Sequence, residues 1–209
     1  MRPQHAALRR GLGELALALP DAAQEKLLAY LELLAKWNKT YNLTAIRDPQ
    51  KMLSHHLLDS LAVLPHLPAG PLADVGSGGG LPGIPLAIAD PARRVTLNDA
   101  SQKKSAFLQQ AVIELQLPNA DVHAGRVQSW TPAQRFACVI TRGFAELSDF
   151  IATCGHLVAP GGVLAAMKGL FPLAELERVS GSADCRDVRR LQVPLLGAER
   201  HLVLCRCTG

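Results

Sequence analysis

The apolar positions of this chain change rhythm near residue 70. Up to that point they follow the helical period. Residues 5–19 alternate polar and apolar positions at helical spacing, and Leu27, Leu28, Leu31, Leu34 and Ala35 recur at steps of one, three, three and one, which puts them on one helical face. Pro20-Asp21 restarts the chain between these two helices, with Asp21 as the candidate N-cap. Trp37, Tyr41 and Asn42-Leu43-Thr44 end the second helix, and Asp48-Pro49 opens a third that runs to about Leu64. A proline-rich connection, Pro65 to Pro71, follows.

Beyond it the apolar residues come in short runs that predict strands: Leu72 to Val75, Arg94 to Asn98, Asp121 to Ala124, Ala137 to Thr141 and Val163 to Met167. An alternating tail adds Val188 to Val193 and His201 to Cys205. Helices are predicted over 83–89, from Ser101 onward with Phe107, Leu108, Ala111, Val112 and Leu115 buried, and from about Glu146 to Leu157. Pro160-Gly161-Gly162 reads as a turn. The chain therefore divides into a helical N-terminal extension, residues 1–70, and an α/β domain with a doubly wound sheet, residues 71–209.

The stretch from Leu72 to Pro85 organises that domain. A short apolar run ends in Asp74-Val75 and breaks into Gly76, Gly78, Gly79, Gly80 and Gly83. Pro82 and Pro85 lack amide donors and fit only a first helical turn, which places the helix start between Leu81 and Gly83. A strand, a glycine turn and a helix in this order expose backbone amides where nucleotide-like ligands sit. Two spacings fit. Gly78, Gly80 and Gly83 satisfy the dinucleotide pattern G-x-G-x-x-G, whereas Asp74, Gly76, Gly78 and Gly80 satisfy the D-x-G-x-G-x-G pattern of S-adenosylmethionine enzymes. In the second, preferred reading the strand-end Asp74 faces the positively charged end of the cofactor; a pyrophosphate would meet repulsion there.

Other strand tips extend this picture. Asp99 suits a ribose diol, because one carboxylate accepts from both hydroxyls, a feature that dinucleotide and methyl-donor folds share. Gly125-Arg126-Val127-Gln128 follows the third strand, where the adenine end of such a cofactor would lie, and Arg142 ends the fourth strand at the switch point of the sheet. His55, His56 and Asp59 share a helical face and read as polar anchors or substrate-facing groups, since a metal site would need further ligands.

Composition sets the outer bounds. A chain of 209 residues holds one sizeable core. No apolar run approaches membrane-spanning length and the N-terminus lacks a secretory core, so a cytoplasmic protein is expected. Cys138, Cys154, Cys185, Cys205 and Cys207 have no C-x-x-C spacing, which predicts buried thiols, not a disulfide framework or a zinc site. The net charge of +4 permits a polyanionic partner.

Taken in order, the motifs resemble those of the ribosomal RNA small subunit methyltransferase G family, also called glucose-inhibited division protein B. They are Lys36-Trp37-Asn38-Lys39-x-Tyr41-Asn42-Leu43-Thr44, His56-Leu57-Leu58-Asp59-Ser60, Asp74 through Leu86, Arg142-Gly143-Phe144-Ala145, Lys168-Gly169 and Gly197-x-Glu199-Arg200-His201-Leu202-Val203. The resemblance implies a Rossmann-like class I methyltransferase, with a seven-stranded, mostly parallel sheet behind the helical extension. It implies transfer of the methyl group of S-adenosyl-L-methionine to nitrogen-7 of a guanine near the decoding region of 16S ribosomal RNA, by a cytoplasmic protein expected to be a monomer. The family's cofactor contacts fall on Gly76, Leu81, Val127, Gln128 and Arg142, to which the residue pattern adds Asp74, Gly78 and Asp99. The family usually has glutamate where this chain has Gln128, which keeps an acceptor and loses a charge. Arg126, Lys168, Arg200 and His201, with Arg142, are the expected RNA contacts, and Lys103 and Lys104 the expected backbone contacts.

A guanine ring nitrogen with an in-plane lone pair needs no general base to attack a sulfonium methyl, so no proton-transfer residue is required and Arg142 is the candidate for positioning. From the residues alone, a methylase of another RNA, a protein or a small molecule stays open, as does an NAD-binding oxidoreductase.

Overall fold

The computed structural model describes residues 3–144, 146–179 and 183–207; Ala145, the last residue of the motif that begins at Arg142, lies outside them. Seven strands form one sheet in the order β3-β2-β1-β4-β5-β7-β6. They are β1 (Leu72–Val75), β2 (Val95–Asp99), β3 (Ala120–Ala124), β4 (Phe136–Thr141), β5 (Val158–Lys168), β6 (Ala183–Arg190) and β7 (His201–Cys207). The first five pair in parallel, whereas β7 pairs antiparallel with both β5 and β6. The order reverses between β1 and β4, and that crevice is where open α/β sheets bind their ligands.

Two apolar layers cover the sheet, and the period of two in the strands assigns each residue to one of them. Leu72, Leu97, Cys138, Ile140, Ala165 and Leu204 face a core shared with the N-terminal helices α1 (Pro3–Glu14) and α2 (Asp21–Tyr41). Ala73, Val75, Val139, Leu164, Ala166 and Val203 face the opposite core, built on Phe150 and Leu147 of α7 (Leu147–Cys154). Residues 3–70 thus contribute a layer to the core on one side of the sheet, where α2 packs against α5 and α6. Their third helix is composite: α3 (Pro49–Met52), a π-helical stretch over Leu53–Leu58, and α4 (Asp59–Leu61). Asp48 caps it by accepting from the Gln50 and Lys51 amides at 2.8 and 3.1 Å. At α2 the cap position falls on Pro20, and Asp21 is the first helical residue, its carboxylate taken by Arg9 at 2.9 Å.

Helices α5 (Gly83–Ala89), α6 (Gln102–Glu114) and α8 (Leu173–Val179) complete the set. The cysteines depart from expectation. Because β6 starts at Ala183 and not near Val188, Cys185 lies opposite Cys205 on the neighbouring antiparallel strand, and the two form a disulfide with their Cα atoms 4.0 Å apart. Cys138 and Cys154 are buried free thiols, each pushed up to about 12 by desolvation. No helix among the described residues is long and apolar enough to cross a membrane.

Candidate active site

The site is built where β1 and β4 end. Thr141, the last residue of β4, donates its hydroxyl to the Val75 carbonyl at 2.8 Å, locking the two strand tips together. The glycine turn then folds over them. Gly76 and Gly78 have φ of +68° and +60°, which L side chains rarely adopt, and apart from its two chain neighbours no described residue has an atom within 4 Å of where a Cβ would stand at Gly76. Gly83 has a different reason to be glycine: a Cβ there would sit 2.3 Å from Leu97 and 2.7 Å from the Asp74 carboxylate. From the helical layer, the Tyr30 hydroxyl reaches across to donate to the Gly79 carbonyl at 2.5 Å.

Asp74 holds this turn from below. Its Oδ2 accepts from the Ser77 hydroxyl at 2.6 Å and the Gly83 amide at 2.8 Å, while Oδ1 is buried with no hydrogen-bond partner among the described residues. Burial raises its pKa to about 6, against the lowering effect of those hydrogen bonds. The carboxylate was expected to face the cofactor; it lies instead inside the strand, under the turn, because Val75 and not Asp74 occupies the tip of β1.

Two cavities open at this edge of the sheet. The first, of about 570 Å³, is lined by the turn at Gly76, Gly78 and Leu81, by Lys104, and by Arg142 and Phe144. The second, of about 450 Å³, is lined by His56, Asp59, Lys168 and Arg200 among others. Thr44, Arg142 and Gly143 border both. Thr44 is brought there by the helical extension: Asn38, at the end of α2, accepts the Thr44 amide at 2.8 Å, and the Thr44 hydroxyl pairs with His56 Nε2 at 3.0 Å. His56 is buried and its pKa is lowered to about 4, chiefly by desolvation and then by the Arg142 charge, so the imidazole is neutral.

Asp59 ties the second cavity together. It is buried, with Oδ1 accepting from Arg200 Nε at 2.9 Å and Oδ2 from Arg142 Nη1 at 3.3 Å. Arg142 Nη1 also donates to the His55 carbonyl at 2.8 Å. A single carboxylate from the helical extension therefore fixes two guanidinium groups, one just after β4 and one just before β7.

Of the residues singled out from sequence, Gly76, Gly78, Leu81 and Arg142 meet at the first cavity, and Arg142, Lys168 and Arg200 at the second. Others are placed differently. Asp99 is buried and already accepts from the Gly78 amide at 3.0 Å and the Ser101 amide at 2.8 Å. Val127 and the exposed Gln128 follow β3 in a short 3₁₀ turn, outside the cavity lining. Lys104 borders the cofactor-sized cavity, with Nζ 3.8 Å from Asp99, and does not stand out as a backbone contact, while Lys103 and Arg126 are exposed and border neither cavity. His201 was expected on RNA; its ring is buried and Nδ1 donates to the Gly169 carbonyl at 2.9 Å. Lys168 donates to the Glu175 carboxylate at 2.6 Å and to the Phe144 carbonyl at 3.2 Å. Leu43, Phe144 and Asp149 line the first cavity without having been singled out one by one; the Leu43-Thr44 and Arg142-to-Ala145 motifs were the available signal.

The glycine turn, with space beside Gly76 and a cavity of a size that takes nucleoside-like ligands, fits S-adenosylmethionine. Among the described residues, no cluster of His, Cys, Asp or Glu is placed to hold a metal ion. Comparison with known proteins agrees in direction. The family model described as rRNA small subunit methyltransferase G (GidB) matches residues 23–203. A protein of Neisseria meningitidis serogroup C named ribosomal RNA small subunit methyltransferase G is 52% identical over 198 residues, covering 94% of this chain and 95% of its own. One of the same name from Burkholderia thailandensis is 52% identical over 206 residues, covering 95% of this chain and 89% of its own. The fold resembles that of the ribosomal protein L11 methylase of Lactobacillus delbrueckii subsp. bulgaricus, with a TM-score of 0.56 at 15% identity, covering 78% of this chain and 80% of that one. It also resembles a SAM-dependent methyltransferase of Thiobacillus denitrificans in complex with S-adenosyl-L-homocysteine, with a TM-score of 0.54 at 12% identity, covering 82% and 96%.

Proposed function

The chain belongs to the rRNA small subunit methyltransferase G family, and from that premise we propose that it methylates nitrogen-7 of a guanine near the decoding region of 16S ribosomal RNA, using S-adenosyl-L-methionine. The observation that carries the reading is the pair of cavities with Arg142 between them: one walled by glycine backbone, the other by Arg200, Lys168 and the neutral His56.

S-adenosylmethionine, when bound, supplies an electrophilic methyl group on a positively charged sulfur. The turn from Gly76 to Leu81 and Phe144 wall the first cavity and hold the donor there, with Gly78 held to Asp99 and Gly79 held to Tyr30 so that the backbone is set before any ligand arrives. The second cavity accepts the guanine. Arg142 and Arg200, fixed by Asp59, take the neighbouring phosphates and leave the ring nitrogen free, and the neutral His56 adds no further positive charge to oppose a cationic product. The ring nitrogen holds its own lone pair, so no side chain has to remove a proton. The work of the chain is alignment, which supplies roughly 7–10 kcal/mol when two reactants are held in line. In this reading Gly76, Gly78, Leu81 and Arg142 form the cofactor side, with Asp74 and Asp99 holding the turn from behind, Lys168 and Arg200 join Arg142 on the RNA side, and the protein works as a cytoplasmic monomer.

Borohydride reduction followed by aniline breaks RNA at 7-methylguanosine. Primer extension on 16S RNA so treated is expected to stop at one site in cells that carry the protein and to read through in cells that lack it. An unchanged stop in both would overturn the proposal.

A further inference from the structure

Large apolar side chains that stay exposed are unevenly placed in this protein. Among the described residues there are six: Tyr41, Ile113, Leu170, Phe171, Leu173 and Leu195. Three of them fall within four residues of one another, where the chain leaves Lys168 and Gly169 at the rim of the second cavity and enters α8, with Leu170 76%, Phe171 51% and Leu173 60% exposed. Exposed apolar surface concentrated in one place marks a binding surface more often than chance exposure does. This loop is also held in shape. The Gly169 carbonyl at its root accepts from His201 Nδ1 at 2.9 Å, the Phe171 ring meets the His201 ring edge-on with centroids 5.6 Å apart, Pro172 is buried, and the Leu173 amide donates to the Phe171 carbonyl at 3.0 Å. An aromatic ring held by its neighbours and half exposed is a platform on which an unpaired nucleobase can stack.

We propose that Phe171 is a stacking platform for a nucleotide next to the target guanine in single-stranded RNA. The proposal rests on the RNA reading given above and adds a contact to it. The charges around the loop select the partner. Arg142, Lys168 and Arg200 line the cavity from which the loop departs, so a polyanionic strand entering that cavity passes beside Phe171. A protein partner or a second copy of the chain would have to bury the same apolar residues beside these cations. A strand of RNA satisfies both, with phosphate on the cations and a base on the ring.

The test uses small subunits from cells lacking the protein as methyl acceptor, with cofactor binding followed by calorimetry. Phe171→Ala and Phe171→Leu are expected to raise KM for the subunits about ten-fold, the size of one lost base–aromatic stack. Phe171→Trp should return KM to within about two-fold of the original, since it restores a π face. All three should bind S-adenosylmethionine with unchanged affinity, which also reports that they fold. If Phe171→Leu matches the original, apolar contact and not stacking is at work, and the proposal fails. It fails equally if all variants keep the original KM, or if sedimentation finds a dimer that Phe171→Ala dissolves. Absence of methylation by the unaltered protein would instead overturn the RNA reading itself.

Discussion

Asp59 is a buried carboxylate that serves two arginines, and removing its charge leaves both without a counter-ion. Asp59→Asn keeps the shape and one acceptor. It is expected to lower stability by about 2 kcal/mol, the usual cost of unpairing a partly buried charged hydrogen bond. It is also expected to raise KM for small-subunit RNA several-fold and, because Arg142 borders the first cavity too, to weaken S-adenosylmethionine binding by a smaller factor, as read by denaturant unfolding, kinetics and calorimetry. Two other buried groups make the protein sensitive to pH in opposite senses. His56 titrates near 4 when folded against an ordinary 6.5, so the stability it contributes is present above 6.5 and is lost as pH falls towards 4. Asp74 titrates near 6 against an ordinary 3.8, so its contribution is present below 3.8 and is lost as pH rises through 6. Between pH 7 and 5 the two partly cancel. Relative to the unaltered protein, His56→Gln should gain, and Asp74→Asn lose, about 1–2 kcal/mol on going from pH 7 to 5, measured by urea unfolding at both values.

At the scale of elements, Gly83 joins α5 to the sheet at a distance that admits no side chain. Gly83→Ala would press a methyl group against Leu97 and Asp74, and it is expected to lower stability by about 1–3 kcal/mol and to weaken cofactor binding, because the turn above Asp74 must shift. Thermal unfolding with and without S-adenosylmethionine measures both effects. This junction was legible in the sequence, since the prolines and glycines that define it admit few alternatives. So were β1 to β4, each a short run that stops at a turn, mostly buried in β1, β2 and β4 and buried only at Ala120 in the edge strand β3. The second half was harder to read. β5 continues through Pro160-Gly161-Gly162 because the chain bulges there: Phe136 pairs with Val158 and Cys138 with Val163, so the extra residues loop out without ending the strand. β6 begins at Ala183 and ends at Arg190, since it is an edge strand whose buried residues, Ala183 and Cys185, are small and give little apolar signal. α8 spans seven residues with most side chains exposed, too few for a helical period to emerge. The π-helical stretch over Leu53–Leu58 leaves no mark on the pattern of residue types.

Across the whole molecule, the net charge of +4 and the arginines gathered at one edge of the sheet predict a salt-sensitive encounter with RNA. KM for small subunits is expected to rise at least about ten-fold between roughly 50 and 200 mM salt, while S-adenosylmethionine affinity stays nearly flat. A flat response for both would remove phosphate contact from the role of Arg200 and its neighbours. Gly76, Gly78, Leu81 and Arg142 were readable as neighbours of one cavity because backbone geometry demands particular residues in a fixed order, whereas Asp74 and Asp99 turn to backbone amides and Val127 and Gln128 lie outside that cavity. The RNA side was only partly readable: Lys168 and Arg200 do reach the second cavity, whereas His201 turns inward and Lys104 faces the other cavity, differences of side-chain direction that no spacing encodes. Arg142 borders both chambers, and this has a thermodynamic consequence. A guanidinium that shifts to suit an occupant on one side alters the wall seen from the other. Whatever factor the methyl donor imposes on the grip for RNA, the nucleic acid must return in equal measure on the grip for the donor.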